Sequence, residues 1–403
     1  MSKPSCQPIK DFALGIYDGP HATPAEVDDG PVFLGIRNVT PEGRLDLTEV
    51  RHISEQEFPK WTRRVEPQKD DIVFSYEATL HRYALIPDNL RCCLGRRMAL
   101  VRPDPQKVVP RFLHYYFLSS IWRSVVEANV ISGATVDRIP IAKFPDFEVQ
   151  LPPLENQKRI ANILSTYDDL IENNRRRIQL LEESARLLYR EWFVHLRFPG
   201  HEHVKVVDGV PEGWEKKTTF DITDILSGGT PKTDIPDFWN GEIPFFTPKD
   251  STGELYVYET EKKISEAGLK CCNSKLYPKN TIFITARGTV GKLCLTQREM
   301  AMNQTCYALL AKPPLNQYFL YFSLKENIDH FKSQATGSVF DAIVRDTFKL
   351  IPFVIPDKRI IVSFTDSIAS AISQIDNLIA QQRQLKKARD LLLPRLMNGE
   401  ITV

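Results

Sequence analysis

The side chains best placed to do chemistry are arginines, lysines and amides in short polar runs that follow strand-like runs. In the first half these are Arg37-Asn38, then Tyr76 and the stretch Glu77 to Arg82 with His81 and Arg82, then Arg96-Arg97. In the second half they are Thr247 and Lys249, then Arg287, Thr289 and Lys292, then Asn303-Gln304. Such side chains hold phosphates and read the edges of bases. Taken singly, each is more often an ordinary surface residue.

Catalytic constellations are missing from the sequence. ARGTVGKL, Ala286 to Leu293, approaches a phosphate loop, but its spacing is short and Leu293 stands where Ser or Thr should follow Lys292. SGGTPKT, Ser227 to Thr233, lacks the Gly-Lys pair. No GxGxxG, GxSxG or HExxH occurs, nor an Asn-Pro-Pro-aromatic loop of the kind amino-methyltransferases use. His201-Glu202-His203 lies in a polar linker after Pro199-Gly200 and reads as a solvated loop rather than a metal site. SGATVD, Ser132 to Asp137, and TGSVFD, Thr336 to Asp341, either hold a phosphate through backbone N–H groups or simply turn the chain. The expectation is a binder with no catalytic residue, no metal and no cofactor of its own.

With 403 residues, 42% hydrophobic and 26% charged, the chain has room for two cores. Its net charge of +1, from 52 basic and 51 acidic residues, counts mildly against a nucleic-acid binder. It does not exclude one, because contact depends on where charge is placed. The 7 cysteines include no CxxC, the count is odd, and MSKPSCQPIK has no apolar signal segment, so a reduced cytoplasmic setting is expected. No apolar run approaches the length of a bilayer span.

Two long helices must carry the loops. In the first, Ile160, Leu164, Tyr167, Ile171, Ile178, Leu181, Ala185, Leu188 and Trp192 recur at intervals of threes and fours, with Asn174 in a polar seam slot. In the second the seam is Phe364, Ile368, Ala371, Ile375, Leu378, Leu385, Ala388 or Arg389, Leu392 and Leu396, with Gln382 in the polar slot. Pro152-Pro153 and Pro356-Asp357 mark the starts, Pro199-Gly200 and Gly399 the ends, and Pro394 should bend or end the second helix. A helix of about 33 residues is roughly 50 Å long. Antiparallel pairing would put Ile160 near Leu396, Trp192 near Phe364, and Asn174 opposite Gln382. A buried polar pair there would fix register; the alternative is that both amides face solvent.

The globular stretches mix strand-like runs with one helical stretch each. The strands expected are Val32 to Ile36, Ile72 to Tyr76, Met98 to Val101, Ile243 to Phe246, Thr281 to Thr285 and Tyr307 to Leu310. Pro110 to Asn129 and Gln317 to Gln334 read as helices, and the stripe Phe112, Tyr115, Tyr116 reads as core packing rather than a base-stacking platform.

The chain also nearly repeats itself. Ile131 to Ile160 is echoed 204 positions later, with Gly133 falling on Gly337, Asp137 on Asp341, Ile139 on Ile343, Phe144 on Phe348 and Pro152 on Pro356. Upstream, Ile53-Ser54-Glu55 matches Ile264-Ser265-Glu266 and Asp71 to Phe74 matches Asn280 to Phe283. Arg102-Pro103 matches Lys312-Pro313, Phe112-Leu113 matches Phe319-Leu320, and Thr23-Pro24 matches Thr230-Pro231. Two copies of one domain are implied. The expected fold class is α+β, with two similar α/β globular domains separated by two long helices that form an antiparallel coiled coil, pseudo-twofold. Expected boundaries are 1–150 and 200–354 for the globular domains, and 151–199 and 355–403 for the helical segments.

This order, with LPPLENQKRIANILSTYDDLIENNRRRIQLLEESARLLYREWF after the first domain, VPEGWEKK (Val210 to Lys217) opening the second and LLLPRLMNGEI closing the chain, resembles the DNA-specificity (S) subunit of type I restriction-modification systems. DIVFSYEATLHRYALIPD and CLGRRMALVRP are similar to that family's target-recognition domains. The resemblance implies that each domain reads one half of a split, asymmetric double-stranded DNA sequence while the helices set the spacer. It also implies docking of two methyltransferase (M) subunits that use S-adenosylmethionine, and through them ATP- and magnesium-dependent restriction (R) subunits. The chain itself would be non-catalytic. The base-reading residues are not carried over from the family. Two other readings remain at this point: the specificity module of a standalone methyltransferase or nuclease, and a two-domain protein-binding scaffold.

Overall fold

The computed structural model describes residues 5–132, 136–335 and 342–403. Packing divides the chain into two compact units, Met1–Asn173 with Gln382–Val403, and Asn174–Gln381. The division cuts through both long helices, whereas the sequence boundaries follow changes of secondary structure.

In the first unit β1 (Ser5–Pro8) pairs antiparallel with β9 (Glu148–Leu151). A four-stranded antiparallel sheet has the order β2 (Ala13–Asp18), β8 (Met98–Pro103), β5 (Ile72–Ser75), β6 (Tyr83–Leu85). A three-stranded sheet has the order β4 (Arg51–His52), β3 (Val27–Leu34), β7 (Cys92–Leu94), with β3 and β7 parallel. Successive side chains of β5 point to opposite faces. Ile72 and Phe74 pack with Phe112, Tyr116 and Trp122, while Val73 packs with Leu34, Leu94 and Leu100. Both faces of this strand are covered, which is why its sequence reads as a continuous apolar run.

The second unit repeats this plan. β10 (Glu215–Thr218) pairs with β19 (Pro352–Ile355), and the larger sheet runs β11 (Thr223–Ser227), β18 (Cys306–Ala311), β15 (Ile282–Thr285), β16 (Leu293–Thr296), β13 (Tyr256–Val257). The smaller sheet runs β14 (Lys262–Ile264), β12 (Ile243–Phe246), β17 (Ala301–Met302), with β12 and β17 parallel. The fold is α+β in both units, with β13 an added edge strand in the second.

Hydrogen bonds correct the repeat register. Ser75 N and Thr285 N each donate to a carbonyl seven residues on, at Arg82 (3.1 Å) and Lys292 (3.0 Å), so Ile72 corresponds to Ile282 rather than Thr281. Asp104 N donates to Phe12 O and Lys312 N to Ile222 O, so Lys312 corresponds to Asp104 and not to Arg102. One-residue insertions in loops shift the offset without disturbing the strands.

The single helices expected at 110–129 and 317–334 are each broken in two. α1 (Pro110–Leu118) gives way to α2 (Ser120–Glu127) because Ser119 turns extended and its hydroxyl accepts from Trp122 N. α4 (Gln317–Glu326) and α5 (Ile328–Ala335) are divided at Asn327. Phe112, Tyr115 and Tyr116 are buried core residues, as their helical spacing indicated.

The long helices are α3 (Leu154–Tyr189) and α6 (Lys358–Met397). Gln157 anchors the start of α3, donating to Pro152 O at 2.8 Å and accepting from Val109 N at 2.9 Å. Asp357 caps α6 through Arg359 N at 2.7 Å. α6 runs three residues past Pro394 and closes at Gly399, whose φ is +71°. Proline removes one donor, but the last turn forms C-terminal to it.

Within each unit the helix segments pair antiparallel. In the first, Ile160 and Leu164 share a core with Leu392 and Leu396. In the second, Ile178, Leu181, Ala185, Leu188 and Trp192 pack in one core with Phe364, Ile368, Ile375 and Leu378. Ile171 is buried, Tyr167, Leu385 and Ala371 are half-buried, and Ile372 rather than Ala371 enters the core. The Asn174 amide donates to Gln381 Oε1 at 3.3 Å, one residue before the partner expected from the register. Gln382 Nε2 donates instead to Ile171 O at 3.1 Å. Among the described residues no helix is long and apolar enough to cross a membrane.

Candidate nucleic-acid interface

The nominated residues gather on three loops in each unit. After β3, Gly35 N donates to Asn38 Oδ1 (3.0 Å), and after β12, Thr247 N donates to Asp250 Oδ2 (2.7 Å), each closing a one-turn 3-10 helix. Arg37 and Lys249 therefore occupy the same place, and both are exposed. After β7 and β17, Gly95 N donates to Leu34 O (2.7 Å) and Asn303 N to Phe246 O (2.9 Å), so Arg96 corresponds to Gln304. These bonds tie the second loop to the first.

The third loop follows β5 and β15. Tyr76 N donates to Arg97 O and Ala286 N to Thr305 O; Ile139 N donates to Tyr76 O and Ile343 N to Ala286 O. The Ser75 hydroxyl donates to Thr79 O, and the Thr285 hydroxyl to Thr289 O. Even the strained residues match. Ala78 and His81 have φ of +70° and +61°, and Gly288 and Gly291 have +80° and +83° at the corresponding places. A left-handed conformation costs a residue with a Cβ roughly 1–2 kcal/mol, which glycine avoids. The first unit keeps it without glycine, and such strain clusters at functional sites. The glycines of ARGTVGKL thus serve this turn.

The structure sorts the nominated side chains. Arg37, Arg96, Lys249, Arg287, Thr289 and Gln304 are exposed. Asn38 is buried and committed internally, its Nδ2 donating to Asp46 O and Glu49 O at 3.1 and 3.0 Å. Tyr76 is buried and its hydroxyl lies 3.4 Å from His21 Nδ1; burial, then the Asp18 and Glu77 charges, raise its pKa. Burial, then Arg123, lowers that of His81. Arg97 lies 3.1 Å from Glu77, and Arg82 is half-buried. The Thr247 hydroxyl donates to Asp250 at 2.7 Å, Asn303 Oδ1 accepts from Thr305 N at 3.1 Å, and Lys292 Nζ reaches Ser251 O at 3.4 Å. Gly133 to Thr135 of SGATVD and all of TGSVFD lie outside the described residues.

In the first unit Arg37, Asn38, Arg96 and Arg97 line one surface cavity of about 350 Å³ with Phe33, Gly35, Ile36 and Arg51. Arg51, 3.3 Å from Glu26, was not nominated from sequence, because it belongs to a two-residue strand with no pattern of its own. Thr230 was also missed, although the repeat aligned it. Its hydroxyl donates to Gln304 Oε1. A cavity lined by four arginines, of which Arg51 and Arg97 are paired with Glu26 and Glu77 while Arg37 and Arg96 stand exposed, suits an anionic polymer whose exposed edges accept hydrogen bonds.

Comparison with known proteins agrees. The family described as "Type I restriction modification DNA specificity domain" matches residues 45–183 and 211–388. The chain is 25% identical over 404 residues to the HindI specificity subunit of Haemophilus influenzae, covering 83% of this chain and 87% of that protein. It is 27% identical over 364 residues to the MjaIX specificity subunit of Methanocaldococcus jannaschii, covering 88% and 82%. Its fold resembles that of the type I restriction-modification S subunit from M. genitalium, with a TM-score of 0.53, 16% identity, and 97% and 95% of the two chains covered. With one match falling on each half of the repeat and both reaching into the long helices, the chain belongs to the family of type I restriction-modification DNA-specificity subunits.

Proposed function

We infer that each unit reads one half of a split, asymmetric double-stranded DNA target through its three-loop cluster, while the paired helices set the unspecified spacer. The observation that carries this reading is one backbone cage built twice with different side chains at matching places: Arg37 and Lys249, Glu77 and Arg287, Arg82 and Lys292, Arg96 and Gln304. A shared scaffold with divergent side chains suits two related tasks on two different sequences.

The chain is a specificity subunit and not the catalyst. Two methyltransferase (M) subunits would dock on the helices, with restriction (R) subunits joining through them. S-adenosylmethionine, ATP and magnesium would belong to those partners. Leu180, Leu187 and Val194 support a docked partner: they recur every seven residues yet remain 71%, 49% and 49% exposed. A reduced cytoplasmic setting suits the seven free cysteines, of which Cys92, Cys93, Cys294 and Cys306 are buried.

The salt dependence of DNA binding by the complex with M subunits tests the reading. Phosphate contacts release counterions, so log affinity should fall steeply against log salt. A flat dependence would favour a protein-binding scaffold instead.

A further inference from the structure

We propose that Arg96 and Gln304 are specificity-determining residues at one equivalent position of the two readers, Arg96 selecting guanine in one half-site and Gln304 selecting adenine in the other. The inference rests on the function proposed above.

The two side chains leave the same point of the same loop, as the Gly95–Leu34 and Asn303–Phe246 backbone bonds establish. The backbone beneath them is held. A Cβ on Gly95 would come within 2.3 Å of the Leu34 carbonyl oxygen, so the strand and loop touch directly there. In the second unit Asn303 Oδ1 accepts from both Thr305 N (3.1 Å) and the Thr305 hydroxyl (2.8 Å), closing the same loop by side-chain bonds. Each reading side chain thus projects, exposed, from a fixed base.

Their chemistry differs in the way that base edges differ. A guanidinium offers two parallel N–H donors, matching O6 and N7 of guanine; a carboxamide offers one donor and one acceptor, matching N7 and N6–H of adenine. Arg96 lines the basic cavity and, with Arg37, has no ion-pair partner among the described residues. The Thr230 hydroxyl engages one lone pair of Gln304 Oε1, which orients the amide and leaves Nε2 to donate. The neighbouring pair behaves differently, since Arg37 and Lys249 keep a positive charge in both units. That suits phosphates, which every half-site has in common.

The test is selection from a library of randomised DNA duplexes by the complex with M subunits, using the parent protein, Arg96→Gln and Gln304→Arg. For Gln304→Arg, one position of a single half-site should change its preference from adenine to guanine by roughly 5- to 150-fold, with the other half-site unchanged. Arg96→Gln should make the reverse change in the other half-site. Unmoved base preferences would overturn the proposal, as would an equal loss of affinity for all sequences with a shallower salt slope, the signature of a phosphate contact. If the parent complex selects no two-part site, the functional reading falls too; a two-part site with unmoved bases removes only this inference.

Discussion

The Arg389 guanidinium lies 2.6 Å from the Asp168 carboxylate, and the Tyr115 hydroxyl donates to the other oxygen of that carboxylate at 2.5 Å. In the first unit these three residues join α6, α3 and α1. Arg389 retains 11% side-chain exposure, so water cannot readily replace a lost partner. Asp168→Ala should therefore destabilise the protein by about 1–3 kcal/mol, because the buried Tyr115 hydroxyl loses its acceptor and Arg389 keeps, among the described residues, only Asp390, 2.7 Å away. Urea denaturation checks this, and a change under about 0.5 kcal/mol would contradict it.

Phe364 plays the corresponding part in the second unit. It is fully buried, with ring centroids of Tyr189, Trp192, Phe193, Phe319 and Phe322 at 5.3 to 6.4 Å. Phe364→Ala should cost about 3–5 kcal/mol through lost burial and a residual cavity. Leu180→Ala, on an exposed face, should change stability by no more than about 0.5 kcal/mol in the free chain. Thermal or urea unfolding of both variants decides.

The heptad seam and the positions of the loops that follow the strands were legible in the sequence because each rests on local information, periodicity in one case and polar side chains after an apolar run in the other. The break at Ser119 was not, since no glycine or proline marks it and the hydroxyl must find Trp122 N in three dimensions. The left-handed turn at Ala78 and His81 was equally hidden, because neither residue announces a positive φ; only the glycines at 288 and 291 do. Gln381 in place of Gln382 as the partner of Asn174 reflects helix register, which sequence intervals give only to within a residue. The commitment of the Asn38 amide to Asp46 O and Glu49 O required the folded loop.

Glu182 on α3 accepts from Leu255 N at 2.9 Å, and burial raises its pKa to about 7, against the backbone bond and the Lys325 charge. A carboxyl whose pKa is higher folded than unfolded stabilises most below its unfolded value, near 4.5, and that stability is lost as pH rises through about 7. Glu182→Gln keeps the acceptor and removes the charge. It should be more stable than the parent by up to about 3 kcal/mol at pH 8, with the advantage vanishing toward pH 4.5. Melting curves across that range would show it, and a pH-independent difference would contradict it.

Four residues inserted into both helices near Asn174 and Gln382 add about 6 Å of helix. The DNA spacer recognised by the complex should lengthen by about one or two base pairs with both half-sites unchanged. Methylation-site sequencing in cells expressing the variant with its M subunits reads both quantities. Changed half-sites with an unchanged spacer would contradict the measuring role.

Footprinting of the assembled complex on its selected DNA tests most directly whether two differently dressed copies of one loop cage read a split target. The expected result is base-specific protection at two short, dissimilar half-sites separated by a stretch whose sequence does not matter. A single contiguous site, or no specific protection, would contradict the account.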